Sequence, residues 1–169
     1  SAHQVDREAR VMHALRDTDV PVPKIVFQTD DRDMIGSEFF IMEHLEGRIF
    51  WNPLLPELSP DDRMELYHRF TDTLAALHSV DYQSVGLGDF GPQENYVARQ
   101  IARWSKQYKA SETKEIEAMN WLIDWLPQHI PAGDRTTLIH GDYRIDNCIV
   151  AQDKPEPIGL IDWELSTLG

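Results

Sequence analysis

Between two short apolar runs, residues 138 to 150 read LIHGDYRIDNCIV and bring His140, Asp142, Arg144, Asp146 and Asn147 close together. Asn147 immediately precedes the apolar stretch CIVAQ, and Asp162 immediately follows the stretch IGLI. DKPEP, between the two stretches, has the composition of a turn. If the stretches pair as antiparallel strands, the start of one lies roughly 5 Å from the end of the other. Asn147 and Asp162 would then face one point. Asp142, on the segment that enters the hairpin, would hang over the same point as a third oxygen ligand or as a base. Hard oxygen donors gathered in this way suit Mg²⁺, which takes one or two carboxylates and shares its other positions with water and phosphate. The chemistry predicted here is therefore that of an oxygen-lined metal site with a carboxylate to spare.

The flanking elements must position these groups. Val5, Ala9, Met12 and Leu15 recur at helical spacing, so residues 5 to about 16 are expected to form an amphipathic helix that stops before DVPVPK, where prolines force an extended chain. KIVFQT (24–29) and SEFFIMEHL (37–45) predict a hairpin around the polar DDRDMIG. Ser59-Pro60-Asp61-Asp62 is a helix start, and Leu66, Phe70, Leu74 and Leu77 supply the apolar stripe of a helix reaching about His78. Two more helices are expected, over roughly 93–109 and 113–126, and short strands close the chain. Strands first, helices in the middle and strands again predict an α+β class with segregated elements.

Composition narrows the partners. Sixteen basic against 29 acidic residues give a net charge of −13, which repels nucleic acid and anionic membrane surfaces alike. No apolar run approaches the length of a membrane span. Cys148 is the only cysteine, so no disulfide framework or cysteine zinc site is available, and an intracellular setting is expected, cytoplasmic in a bacterium. In a strand, Cys148 reads as core filler. GLGDFG (86–91) matches the glycine pattern of a phosphate loop, yet no strand precedes it, Pro92 follows it and Asp89 would repel phosphate, so it reads as a structural loop. Arg99, Arg103 and Lys106 form a basic helix face, read as solvated, and Trp121 and Trp125 are expected to pack in the core.

The spacing from His140 through Asp142 to Asn147, with Ile161-Asp162-Trp163 following, resembles the catalytic loop and metal-binding segment of kinases. In its HGD and IDW forms it looks like the aminoglycoside phosphotransferase and choline kinase branch. SAHQVDREARVM, YKASETKEIEAM and DWELSTLG are similar to the kinase-like domain fused to certain acyl-CoA dehydrogenases and to its bacterial relatives. The resemblance implies a protein kinase-like two-lobed fold, here a fragment with part of the N-lobe in 1–45 and most of a helical C-lobe in 46–169. It implies an ATP- and Mg²⁺-dependent phosphotransferase acting on a small-molecule hydroxyl, with a 4-hydroxyacyl-CoA as acceptor and a fused acyl-CoA dehydrogenase domain as a possible neighbour in the parent chain.

Roles follow from the same resemblance. Asp142 is the catalytic base, Asn147 and Asp162 are the metal ligands, and Arg144 neutralises charge on the transferring phosphoryl group. His140 is a scaffold of the catalytic loop. Glu8, set on the face of the first helix that ought to be buried, pairs with a nucleotide-binding lysine on a strand that would precede Ser1. Met42, Glu43, His44 and Leu45 form the hinge against which adenine sits. The fragment reading expects that lysine, and the phosphate-covering loop, outside residues 1–169. Two alternatives stand beside this reading: a metal-dependent hydrolase using His140, Asp142, Asp146 and Asp162, and a non-catalytic kinase-like binding domain.

Overall fold

A computed structural model of the chain describes the backbone of residues 2–133 and 135–169, with side chains from residue 5 onward in the same ranges. Two compact units emerge, one formed by residues 1–90 with 137–167, the other by 91–136 with 168–169. The first carries all the residues singled out above as catalytic, metal-binding or nucleotide-binding.

In that unit α1 (Ala2–Leu15) buries Ala9, Val11, Met12 and Leu15, the face expected from the periodicity. The proline-rich segment behind it forms neither helix nor strand, and Pro21 accepts a hydrogen bond from the Leu160 amide at 2.8 Å. β1 (Ile25–Thr29) and β2 (Phe39–Met42) form the predicted antiparallel hairpin, with Thr29 opposite Phe39 and an irregularity between Ile25 and Phe27. β2 ends at Met42 rather than running on to Leu45, and β3 (Gly47–Arg48) follows after a short link.

β3 is absent from the sequence reading because two residues carry no alternation to detect. It pairs antiparallel with β5, Gly47 opposite Ala151, in a sheet ordered β3-β5-β6 with β5 at Cys148–Ala151 and β6 at Pro157–Leu160. Gly47 is there for close approach: a Cβ would lie 2.7 Å from the Val150 carbonyl oxygen.

α2 (Pro60–Ser79) begins as predicted, with Ser59 Oγ accepting from the Asp62 amide at 3.1 Å. It buries Leu66, Phe70 and Leu77 together with Thr73, and it packs against β4 (Leu138–Ile139) and β6. β4 in turn pairs with β7 (Thr167–Leu168).

In the second unit, α3 (Tyr96–Ser111) and α4 (Glu117–Trp125) are both shorter at their starts than periodicity suggested, and neither contains a fully buried residue. Trp121 and Trp125 correct the expectation of core packing. They stack on each other at 5.5 Å and Trp125 stacks on His129 at 3.7 Å, with Trp121 58% exposed. Arg99 is not simply solvated, since it donates to the Pro92 carbonyl at 2.9 Å and so closes the loop before α3. Among the described residues, no helix is long and apolar enough to cross a membrane.

Candidate active site

The β5–β6 hairpin sets Asn147 opposite Ile161, the residue before Asp162. Cys148 lies opposite Leu160, and the Ile161 amide donates to the Asn147 carbonyl at 3.0 Å, so the residue before β5 and the residues after β6 are cross-strand neighbours. Asn147 Nδ2 donates to the Asp142 backbone oxygen at 3.0 Å and to its Oδ2 at 3.1 Å. With its NH₂ spent on Asp142, the amide presents Oδ1 as a further acceptor. Asp162 holds an exposed carboxylate on a residue whose φ is +65°, a left-handed conformation that non-glycine residues seldom adopt. An amide oxygen and two carboxylates, that of Asp142 half-buried, are donors of the hard type that suits Mg²⁺.

The loop that carries Asp142 is fixed from several sides. Gly141 takes φ +90° against Leu165. Tyr143 donates its hydroxyl to the Phe70 carbonyl at 2.6 Å and stacks on the Phe70 ring at 4.1 Å, which anchors the loop to α2. Burial pushes the Tyr143 phenol well above its ordinary range, so the hydroxyl stays a donor. Ile145 is buried beneath a single 3-10 turn, Ile145–Asn147. Cys148, as expected, is fully buried, and its thiol is pushed up to about 12 by desolvation.

His140 is 1% exposed and has both nitrogens engaged. The Asp142 amide donates to Nδ1 at 3.3 Å, so Nε2 carries the proton and donates to the Ile161 carbonyl at 3.1 Å. The ring therefore ties the Asp142 loop to the Asp162 segment. Burial lowers its pKa, against the opposing pull of the Ile161 carbonyl, Asp162 and Asp142. Because the folded value lies below the unfolded one, near 6.5, the stability from neutral His140 is fully present above that pH and is lost as pH falls below it. A urea midpoint that drops between pH 7 and pH 5 is expected, with a shallower drop in His140→Asn, whose amide can still donate to Ile161. Parallel pH profiles for the two proteins would contradict this.

Arg144 and Asp146 form a two-bond pair, Nε to Oδ1 at 3.0 Å and Nη2 to Oδ2 at 2.5 Å. Asp146, which had no role in the phosphotransferase reading of the sequence, thus holds Arg144. The signal was present as an i, i+2 charge pair, but that spacing has no regular meaning on a loop. These engagements also weigh against the hydrolase alternative: His140 offers no free nitrogen and Asp146 is committed to Arg144. Among the described residues, no cluster of three or more His, Cys, Asp or Glu side chains is placed to hold a metal.

Glu8 is half-buried. Desolvation, then the charges of Asp162 and Glu164, raise its pKa, and the Trp163 amide acts to lower it. Among the described residues it makes no ion pair. The expected hinge residues bridge β2 and β3. Glu43 is tied to Lys24 by a reciprocal pair, its amide donating to the Lys24 carbonyl at 2.9 Å while its Oε1 accepts from the Lys24 amide at 2.8 Å. Leu45 lies over Gly159 of β6 so closely that a Cβ there would collide with it. Met42 and His44 are exposed. GLGDFG is the structural loop expected: Leu87 and Phe90 are buried, and Arg10 donates to the Gly86 carbonyl at 2.8 Å and pairs with Asp89.

A model of the phosphotransferase enzyme family matches residues 1–169. The chain belongs to that family. Members of known structure share its fold: an aminoglycoside phosphotransferase assignment from Ralstonia eutropha JMP134 superimposes with a TM-score of 0.94 at 51% identity, over 98% of this chain and 51% of that one. The streptomycin–ATP ternary complex of APH(2″)-IIa matches with a TM-score of 0.66 at 20% identity, over 99% and 57%. Among curated relatives, mouse acyl-CoA dehydrogenase family member 10 is 47% identical over all of this chain and 16% of its own length. The Arabidopsis thaliana probable acyl-CoA dehydrogenase IBR3 is 47% identical over all of this chain and 22% of its own. This phosphotransferase family chain thus spans under a quarter of those relatives' length and about half of the Ralstonia structure. Its α+β architecture is part of the kinase-like fold that these structures share.

Proposed function

We propose that this chain is the catalytic portion of an ATP- and Mg²⁺-dependent phosphotransferase acting on a small-molecule hydroxyl. The observation that supports the reading is the Asn147–Asp142 contact, with the Asn147 carbonyl bonded to the amide of Ile161, the residue before Asp162. Asp142 orients the acceptor hydroxyl and takes its proton as the oxygen bonds to the terminal phosphorus of ATP, whose bond to the bridging oxygen breaks so that ADP leaves. Asn147 Oδ1 and the Asp162 carboxylate would hold Mg²⁺, which would supply positive charge to offset that of the nucleotide phosphates. Arg144, kept in place by Asp146, faces the negative charge that spreads over the transferring group. His140 stays neutral and structural.

Among the described residues Glu8 makes no ion pair, while the charges of Asp162 and Glu164 raise its pKa, and its proposed partner is a nucleotide-binding lysine on an adjoining strand of the parent protein. Residues 42–45 hold the adenine edge, dividing an N-lobe portion, 1–45, from a C-lobe portion, 46–169. The nucleotide assignment is supported by the ATP present in the APH(2″)-IIa complex. The acceptor proposed is a 4-hydroxyacyl-CoA, supported by acyl-CoA dehydrogenase relatives that contain a segment like this one. A fused dehydrogenase domain is the corresponding partner, and an intracellular compartment the setting.

The test is ADP release by the complete parent protein with Mg·ATP across hydroxyacyl-CoAs, choline and aminoglycosides. Turnover confined to hydroxyacyl-CoAs is expected. Turnover with aminoglycosides alone would reassign the acceptor, and nucleotide binding without turnover on any acceptor would favour the non-catalytic reading.

A further inference from the structure

Two adjacent residues of α1 reach the segment that follows Asp162, and the proposed function uses only Glu8. We propose that Arg7 is a positioning residue that keeps Asp162 in its metal-binding geometry by clamping the turn behind it, an inference that rests on the phosphotransferase reading of the site. The Arg7 guanidinium donates to the Ser166 carbonyl at 2.9 Å and to the Phe90 carbonyl at 3.1 Å, and it lies over the Phe90 ring at 4.1 Å. Both acceptors are backbone oxygens. What Arg7 supplies is a rigid planar fork that fixes the distance between two loops.

That turn needs external support. Asp162 adopts φ +65°, and a non-glycine residue stays in such a conformation only where its surroundings over-determine it. Part of the bracing is internal: Trp163 Nε1 donates to the Leu160 carbonyl at 3.0 Å, and the Ser166 amide and hydroxyl both donate to the Trp163 carbonyl, at 3.0 and 2.5 Å. Trp163 is fully buried against the His140 ring, 4.4 Å away. These bonds close the turn on itself. α1 ties the turn from outside, through Arg7 at the Ser166 carbonyl. Without Arg7, the Ser166 end is released, Asp162 relaxes towards ordinary backbone geometry, and its carboxylate leaves the point it shares with Asn147.

The experiment is a Mg²⁺ titration of ADP release in the complete parent protein at saturating ATP, for wild type, Arg7→Met, Arg7→Lys and Asp162→Asn, with thermal unfolding of each. Arg7→Met is expected to raise the Mg²⁺ concentration at half-maximal rate about 10- to 100-fold, the usual effect of removing a group that orients a metal ligand. Arg7→Lys should recover part of this, because an ammonium can serve one carbonyl but not both in the same fork. A merely structural role would lower the unfolding temperature and leave the half-saturation point in place. An unchanged half-saturation point in Arg7→Met overturns the role of Arg7, and the same result in Arg7→Lys does so if Arg7→Met does not fold. Wild-type Mg²⁺ dependence in Asp162→Asn overturns the reading of the site itself.

Discussion

Replacing Asp142 with asparagine is expected to lower ADP release by the complete protein about 10²- to 10⁴-fold, the usual worth of a positioned general base. The geometry makes this substitution informative. Asn147 Nδ2 donates to Asp142 Oδ2 at 3.1 Å and to its backbone oxygen at 3.0 Å. An asparagine at 142 can keep both bonds by turning its own Oδ1 towards Asn147. Its Nδ2 then faces the acceptor hydroxyl and can accept no proton. Nucleotide binding and thermal unfolding should stay close to wild type while kcat falls. Turnover retained near the wild-type level would remove Asp142 from proton transfer.

Gly141→Ala carries the largest expected loss of stability. Gly141 sits at φ +90°, and a Cβ would lie 2.7 Å from the Leu165 carbonyl carbon, 2.8 Å from its Cβ and closer still to its carbonyl oxygen. Left-handed backbone costs an L residue about 1–2 kcal/mol, and overpacking adds about 1–3 kcal/mol. The obstacle is largely backbone, so relief requires the Leu165 turn to shift, and that turn follows Asp162. A loss of roughly 2–5 kcal/mol in denaturant unfolding is expected, with activity falling in the fraction that stays folded. A change below about 0.5 kcal/mol, the range of surface substitutions, would mean that the two loops adjust independently.

These two substitutions touch residues that differ in how legible they were. The HGD spacing to Asn147, the apolar stretches and the intervening turn specified the hairpin, because alternation and turn composition are local properties of the chain. The register that sets Cys148 opposite Leu160 confirmed the placement of Asn147 beside the Asp162 segment. Ser59 and the stripe from Leu66 to Leu77 specified α2 in the same way. β3 was not legible, since two residues have no period, and the Trp121–Trp125 pair was misread because spacing four apart shows that two rings share a face but not what that face meets.

The sequence alone determined the family, the α+β class and the identities of the polar groups at the candidate site. Each of these depends on residue types at short separations along the chain. Tertiary structure decided which of those groups are committed to one another. Asp146 holds Arg144, and His140 spends both nitrogens on the loops it joins. Arg7 closes a turn 159 residues away. No local pattern encodes such a pairing, because its partners are backbone carbonyls, present at every residue, and only packing selects which of them a guanidinium can reach.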